Sequence, residues 1–151
     1  GGYAWLIDWH QGQVQVRDAT RHCYGMAFVM LAYAHAAMGG IGEARGWLAE
    51  TFALAEQHLW DAAAGLYADE ATPDWTLSPY RGQNANMHAC EAMIAAFMAT
   101  GEQGYLQRAE ALAQAITCRQ AALAGNMIWE HYRADWSVDW EYNLHDKTNI
   151  Y

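Results

Sequence analysis

A pair of helical segments occurs twice in this sequence, at an offset of about 62 residues. Apolar residues at helical spacing predict the first pair at residues 20–38 and 43–59, and the second at residues 83–100 and 103–120. Glycine follows the first segment of each pair and favours a helix end there. The sequence therefore predicts two helical hairpins built on the same plan.

The two helices of each pair differ in how their apolar residues are distributed. The first helix is apolar almost all the way round, as in HCYGMAFVMLAYAHAAM, and this is typical of a helix buried on most sides. The second helix is amphipathic: Leu48, Phe52 and Ala55 recur at helical spacing, while Glu50 and Glu56 lie elsewhere. Each pair therefore predicts one inner helix and one outer helix.

A long aromatic connection, DAAAGLYADEATPDWTLSPYRG at residues 61–82, links one hairpin to the next. Short strands are predicted within it around residues 66–67 and 75–76, and loops of this length are uncommon unless they serve a site. An inner helix, an outer helix and a long rim loop form the unit of an (α/α) barrel, and six such units need about 380 residues. The predicted fold is all-α: residues 1–151 form a single partial (α/α)6-barrel domain of about two and a half hairpins.

Composition excludes several classes of function. The net charge is −9 with only eight Lys and Arg, which argues against nucleic acid and acidic membranes as partners. His35, Glu43 and Glu91 interrupt the apolar runs before they reach the length of a membrane span. The first residues, GGYAWLIDWHQG, lack the pattern of a secretory signal, and three cysteines without metal-type pairing are most simply reduced thiols. We therefore expect a cytoplasmic protein with a neutral small molecule as its partner; a homo-oligomer is compatible with the sequence.

A polar segment, PYRGQNANMH at residues 79–88, leads directly into the third helix. Asn84 and His88 are four residues apart and share one face of that helix. Arg81 and Gln83 lie in the turn before it. Because a small-molecule pocket needs a few polar groups held by a rigid scaffold, the segment predicts a ligand site where the third helix begins.

Two segments resemble one known family. RGQNANMHACEAMIAAFMATGEQGYLQRAEALA, at residues 81–113, and WEHYRADWSVDWEYN, at residues 129–143, are similar to the N-acylglucosamine 2-epimerase family, above all to its mannose isomerase-like branch. The resemblance spans most of the chain. It implies an (α/α)6 barrel that acts on the open-chain form of a free sugar and moves a proton between C1 and C2, with no metal and no cofactor.

Family motifs match three residues of this chain. The N-x-x-x-H spacing matches Asn84 and His88, and the pattern Y-x-x-A-F matches Tyr24. The resemblance implies that His88 is catalytic and that Asn84 and Tyr24 bind substrate. An acid/base histidine in a P-G-H-x-x-E-W motif, a second histidine and a substrate-binding arginine are not found in residues 1–151. The resemblance therefore implies that the principal acid/base histidines lie outside this chain, and that these residues alone are inactive.

Each candidate residue also has a structural alternative. Histidine suits proton transfer because its ordinary pKa is near 6.5. His88 could instead be a core residue, but with Asn84 as its partner we favour a role in the pocket. Asn84 could cap the helix, and Tyr24 could pack in the core rather than line a pocket. Arg81 is expected to brace the loop rather than to contact substrate.

The aromatic tract at residues 129–143 supports three interpretations. Its tryptophans could stack on sugar faces, its carboxylates could form the acid/base pair of a glycosidase, or it could be a rim loop whose aromatics close the end of the barrel. We favour the rim loop. The residues concerned are Trp129, Trp136 and Trp140 for stacking, and Glu130, Asp139 and Glu141 for hydrolysis.

Three functions stay open at this point. The leading one is a sugar isomerase or 2-epimerase of the mannose–fructose type, working through an enediol(ate). A glycoside hydrolase or lyase on the same toroidal fold would need two carboxylates facing the cavity, and a non-catalytic helical-repeat module would bind carbohydrate in a long concave groove. No metal is predicted, because His22 and Cys23 lack further ligands at recognisable spacing.

Overall fold

The computed structural model describes residues 1–145 and is built from two helical hairpins in succession. The helices are α1 Cys23–Met38, α2 Ala44–His58, α3 Gln83–Thr100, α4 Gln103–Gln114, α5 Ala121–Leu123 and α6 Trp140–His145, with a π-helical segment at Ala115–Gln120. The strands are β1 Leu6–His10, β2 Gln13–Asp18, β3 Arg21–His22, β4 Trp60–Asp61, β5 Leu66–Tyr67, β6 Glu70–Ala71, β7 Arg81–Gly82 and β8 His131–Tyr132. The four long helices confirm the predicted repeat.

The inner helices α1 and α3 lie side by side, as predicted, with α2 packed on α1 and α4 packed on α3. Small side chains let the two inner helices approach closely, while methionines fill the remaining space. The buried residues of these helices include Met26, Ala27, Met30, Ala34, Ala89, Ala92, Met93 and Ala96. The outer helices bury one face only, which matches their amphipathic sequences.

A charged contact joins the two outer helices. The guanidinium of Arg108, on α4, donates from Nε to Oε1 of Glu56, on α2, over 2.9 Å. The same guanidinium lies over the ring of Trp60 at 3.3 Å from its centroid, and the Tyr67 hydroxyl donates to Glu56 as well. This half-buried network fixes one hairpin against the next.

One predicted helix start and one predicted strand are wrong, and the last part of the predicted fourth helix is π-helical rather than α-helical. The first helix begins at Cys23 instead of residue 20, because β3 is extended and pairs with β6. The fourth changes to a π-helical backbone after Gln114. A strand was predicted at residues 75–76, but Trp75 has a φ of 69° and belongs to a turn in which the Thr72 N–H donates to the Thr76 carbonyl over 2.9 Å. The strand predicted at residues 66–67 is confirmed as β5, which pairs with β4.

Two rim loops, residues 69–77 and 130–138, repeat the same structure. The first loop contains the tripeptide Asp-Trp-Thr and the second contains Asp-Trp-Ser. The tryptophans of these tripeptides, Trp75 and Trp136, both have a positive φ. Each loop pairs with the short strand that leads into the preceding inner helix. The pairs are β6 with β3, before α1, and β8 with β7, before α3. An arginine of that strand lies against the tryptophan, Arg21 at 5.7 Å from the ring centroid of Trp75 and Arg81 at 5.9 Å from that of Trp136. Each rim loop therefore fixes the start of one inner helix.

A β-hairpin precedes the first helix and was not predicted. Strands β1 and β2 pair antiparallel through a turn at Gln11 and Gly12, both with positive φ. The apolar face of this hairpin is exposed to solvent, and Trp9 is 70% exposed. The residues of that face are Ile7, Trp9, Val14 and Val16. None of the helices within residues 1–145 has the length and apolarity that crossing a membrane requires.

Candidate functional site

The predicted site residues His88 and Tyr24 are in contact at the interface of the two inner helices. The His88 ring meets the Tyr24 ring edge-on at 5.2 Å between centroids, and the Phe28 ring at 4.8 Å. Tyr24 and Phe28 in turn contact each other at 4.9 Å. The packing of α1 against α3 therefore brings together residues that are about 60 positions apart in the sequence, as the repeat predicted.

Glu91 is the polar partner of His88. Nδ1 of the imidazole lies 3.1 Å from Oε2 of Glu91, one turn further along α3. The His88 side chain is 22% exposed and Glu91 is 58% exposed. A half-buried histidine with one ring nitrogen engaged has the other, Nε2, available to take or give a proton. The imidazole is therefore not fully enclosed in the core.

Asn84 lies in the first turn of α3 and does not cap it. The residue at the helix cap is Gly82, without a side-chain capping bond. The Asn84 N–H donates instead to Oε2 of Glu130 over 3.0 Å, and the Gln83 N–H donates to the Glu130 carbonyl over 3.0 Å. A carboxylate from the second rim loop thus satisfies the start of the helix. The alternative in which Asn84 is a cap is wrong, and its side chain is half-buried on the same face as His88.

Arg81 braces the loop, as predicted. Its side chain is 7% exposed, and Nη1 donates to the carbonyls of Ser78 and Tyr80 over 2.6 and 2.7 Å. With Trp136 against its guanidinium, Arg81 is part of the scaffold that holds β7 in place.

In the tryptophan tract, Trp136 is buried within the second rim loop, whereas the closing of the barrel end by the tract as a whole stays a prediction. Trp136 is buried and donates from Nε1 to Oδ2 of Asp61 over 3.1 Å, so its ring is not a platform for sugar. Trp129 and Trp140 meet edge-on at 5.4 Å. Asp139 accepts from the Tyr142 N–H over 3.0 Å at the start of α6. Since Asp139 and Glu130 both bind helix starts, the glycosidase pair is not supported.

A polar cluster around Gly82 was not predicted. A Cβ at this glycine would lie 2.5 Å from Oδ1 of Asp69, 3.1 Å from the Tyr80 hydroxyl and 3.2 Å from Oε1 of Glu130. Burial, and then the charge of the neighbouring Glu70, raise the pKa of Asp69 to about 6. The absence of a side chain at Gly82 is what allows the two acidic rim-loop residues to approach the same point.

His22 and Glu70 form a second polar pair at the start of α1. Nδ1 of His22 lies 3.4 Å from Oε2 of Glu70, and the ring of Trp5 covers His22 at 4.4 Å. With Asp69, they present ligand atoms that all lie within 4.8 Å of one another. Imidazole and carboxylate groups at this spacing could hold a divalent cation. The contact between His22 and Glu70 already accounts for two of the three groups without a cation.

A stacked aromatic group extends the polar cluster on the side of α6. The Tyr80 hydroxyl lies 2.7 Å from Nδ1 of His131, and the His131 ring stacks on Tyr142 at 3.8 Å. Asn143 links α6 to β8, because its side chain accepts from the His131 N–H over 3.0 Å and donates to the His131 carbonyl over 2.7 Å. Polar side chains therefore line the starts of both inner helices.

Comparison with known proteins gives the family of this chain. The whole chain, residues 1–151, matches the sequence model of the family described as N-acylglucosamine 2-epimerase (GlcNAc 2-epimerase). The chain belongs to this family. Within it, the chain is 50% identical over 153 residues to a D-mannose isomerase of Marinomonas mediterranea, covering 100% of this chain and 38% of that protein.

Two solved structures share the fold of this chain. A crystal structure of D-mannose isomerase superposes with a TM-score of 0.90 at 51% identity over 98% of this chain and 37% of that one. The cellobiose 2-epimerase of Spirochaeta thermophila DSM 6192 superposes with a TM-score of 0.76 at 25% identity, over 91% and 36% of the two chains. The fold is therefore that of part of an (α/α)6 barrel, as predicted. The chain spans less than two fifths of the length of these relatives.

Proposed function

We propose that the complete protein is a sugar isomerase or epimerase that interconverts a free aldose and its ketose, of the mannose–fructose type, or a pair of C2 epimers. The observation that carries the proposal is the contact between His88 and Tyr24 at the mouth of the inner helices, in a chain 50% identical to a D-mannose isomerase. Both residues match the family's site motifs. In this proposal residues 1–151 are part of one barrel domain.

The chemistry assigns a role to each residue. A base removes the proton from C2 of the open-chain aldose, the carbonyl electrons move to O1, and an acid protonates O1 to give the enediol. Loss of the O2 proton and return of a proton to C1 then give the ketose. His88 exchanges the proton at the sugar oxygen, the Asn84 amide donates a hydrogen bond to the oxygen that gains charge, and Tyr24 forms the pocket wall.

Acid/base groups at the sugar carbons come from outside residues 1–151 in this proposal. The partner is a free monosaccharide, and no metal or cofactor takes part. The buried and half-buried thiols of Cys23 and Cys90 are free, which supports a reducing compartment and a cytoplasmic location. A homo-oligomer stays a prediction that the mass of the complete protein in solution would test.

The experiment is turnover by the purified complete protein. D-Mannose, D-glucose, N-acetyl-D-glucosamine and cellobiose are incubated separately, and the products are separated by chromatography. The same reactions in D₂O should place deuterium on C1 or C2 of the product, because the transferred proton exchanges with solvent. Failure to convert any of these sugars, by a protein with an intact helical circular dichroism spectrum, would overturn the proposal. Release of reducing ends from oligosaccharides would favour the glycoside hydrolase instead.

A further inference from the structure

We propose that Glu91 is a positioning residue for His88: its carboxylate holds the Nδ1 proton of the imidazole and leaves Nε2 to exchange a proton with the sugar. This inference rests on the function proposed above and adds a residue to its site. The geometry that points to it is the 3.1 Å distance between Nδ1 of His88 and Oε2 of Glu91 on successive turns of α3.

The aromatic neighbours of His88 restrict its ring but do not choose its tautomer. Tyr24 meets it edge-on at 5.2 Å and Phe28 at 4.8 Å, both from α1. These contacts limit where the ring can lie, yet a 180° ring flip within the same space would exchange Nδ1 with Cδ2 and Nε2 with Cε1, and either nitrogen could carry the proton. A carboxylate accepts hydrogen bonds and cannot donate one when ionised. Glu91 therefore favours the ring orientation and tautomer with the proton on Nδ1.

Glu91 adds little to the stability of the helix. It is 58% exposed, and exposed pairs at this spacing contribute only a few tenths of a kcal/mol because water and salt screen them. The two roles therefore predict different results. A structural role would change the melting temperature and leave the catalytic constants alone, whereas a positioning role would lower kcat and leave the melting temperature and KM nearly unchanged.

The test compares Glu91→Gln with the wild-type complete protein. We expect kcat to fall about tenfold, the low end of the roughly 10–100-fold losses known for carboxylates that orient metal-ligating histidines, with KM within about twofold. Glu91→Asp keeps the charge and should recover part of the loss. Glu110→Gln, which changes an exposed glutamate on the outer helix α4, is the matched control and should leave kcat unchanged.

A double substitution separates positioning from other causes. In a His88→Ala background, Glu91→Gln should have no further effect on kcat, because the ring that it orients is gone. An equal loss in both backgrounds, or wild-type kcat in Glu91→Gln, would overturn the inference. Failure of the proposed function has a different signature: the wild-type protein itself would convert no sugar. NMR of ¹⁵N-histidine-labelled protein gives a readout independent of activity, since Glu91→Gln should shift the His88 signals away from the Nδ1–H tautomer.

Discussion

The side chain of Asn86 forms a closed pair of hydrogen bonds with the backbone of Tyr67. Its Oδ1 accepts from the Tyr67 N–H over 2.7 Å, and its Nδ2 donates to the Tyr67 carbonyl over 3.0 Å and to that of Gly82 over 3.0 Å. Asn86 is fully buried. The two asparagines of the segment NANMH therefore differ: Asn86 joins α3 to the preceding loop, whereas Asn84 belongs to the proposed site.

Asn86→Ala should destabilise the protein strongly, because it leaves the Tyr67 N–H and carbonyl buried without partners. Each buried group left unpaired costs about 1–3 kcal/mol, so we expect a loss of about 2–5 kcal/mol in the free energy of unfolding. Denaturant titration of the complete protein measures it. Asn84→Ala is the comparison, and should lower activity with a loss in stability below about 1 kcal/mol. Equal stability losses in the two variants would contradict this division of roles.

His88→Ala should reduce sugar turnover by about 10²–10⁴-fold, as expected when one positioned acid/base group is lost. The helix should stay intact, since alanine is the best helix former. Steady-state kinetics and far-ultraviolet circular dichroism check the two parts. His35→Ala serves as the control, because His35 is an exposed residue near the other end of α1. Full activity in His88→Ala would mean that His88 is only a packing residue.

Gly82→Ala should destabilise the start of α3. The new methyl group would lie 2.5 Å from Oδ1 of Asp69, closer than van der Waals contact allows, and insertion of a methyl into a filled space costs about 1–3 kcal/mol. Gly104→Ala in α4 has open space around the new Cβ and should stabilise the protein by about 0.5–1 kcal/mol. Melting temperatures of the two variants should therefore move in opposite directions, and a shift of the same sign in both would refute the crowding at Gly82.

Asp69 should make stability depend on pH. Burial, followed by the charge of Glu70, raises the pKa of Asp69 to about 6 from an ordinary 3.8, against the opposing charge of Arg81. Between these values the folded state binds more protons than the unfolded state, so the free energy of unfolding falls as pH rises from about 4 to about 6. The ionised carboxylate therefore destabilises the folded state above pH 6, by a free energy on the order of 3 kcal/mol.

Asp69→Asn removes this titration, since an amide carries no charge at any pH in the range. Denaturant titrations at pH 4, 5, 6 and 7.5 should show a smaller fall in stability for the variant than for the wild type across this window. At pH 7.5 the variant should be the more stable of the two. Parallel curves for the two proteins would show that Asp69 ionises in the folded state as it does in the unfolded state.

Helical periodicity predicted the four long helices because each has enough residues for its pattern to be unambiguous. It did not predict the start of α1 at Cys23, since nothing local distinguishes Arg21–His22 from a helix; the strand forms only because Glu70–Ala71 returns to pair with it. The π-helical segment at Ala115–Gln120 has no sequence signature that we recognise. The N-terminal hairpin, in contrast, carries the alternation of apolar and polar residues typical of strands.

The candidate site, like the fold, could be predicted from the sequence only in part. The contact between Tyr24 and His88 could be predicted, because both lie near the starts of equivalent inner helices. The positions of Asp69 and Glu130 around Gly82 could not, because loops bring them there from both sides of α3. A signal for these loops was nevertheless present: aligning PDWTL with ADWSV, at residues 73–77 and 134–138, reveals the repeated rim loop.

The rim loops have a consequence for the order in which the site forms during synthesis. Each loop follows, in the chain, the inner helix whose start it fixes: β8 and Glu130 hold the start of α3, which is complete by Thr100. A nascent chain released as far as residue 128 already contains Tyr24, Asn84 and His88 and still lacks the strand that anchors β7. The ribosome therefore finishes the proposed site only after it has delivered the outer helix of the same hairpin and the rim loop beyond it, so each inner helix is anchored by the last part of its own unit.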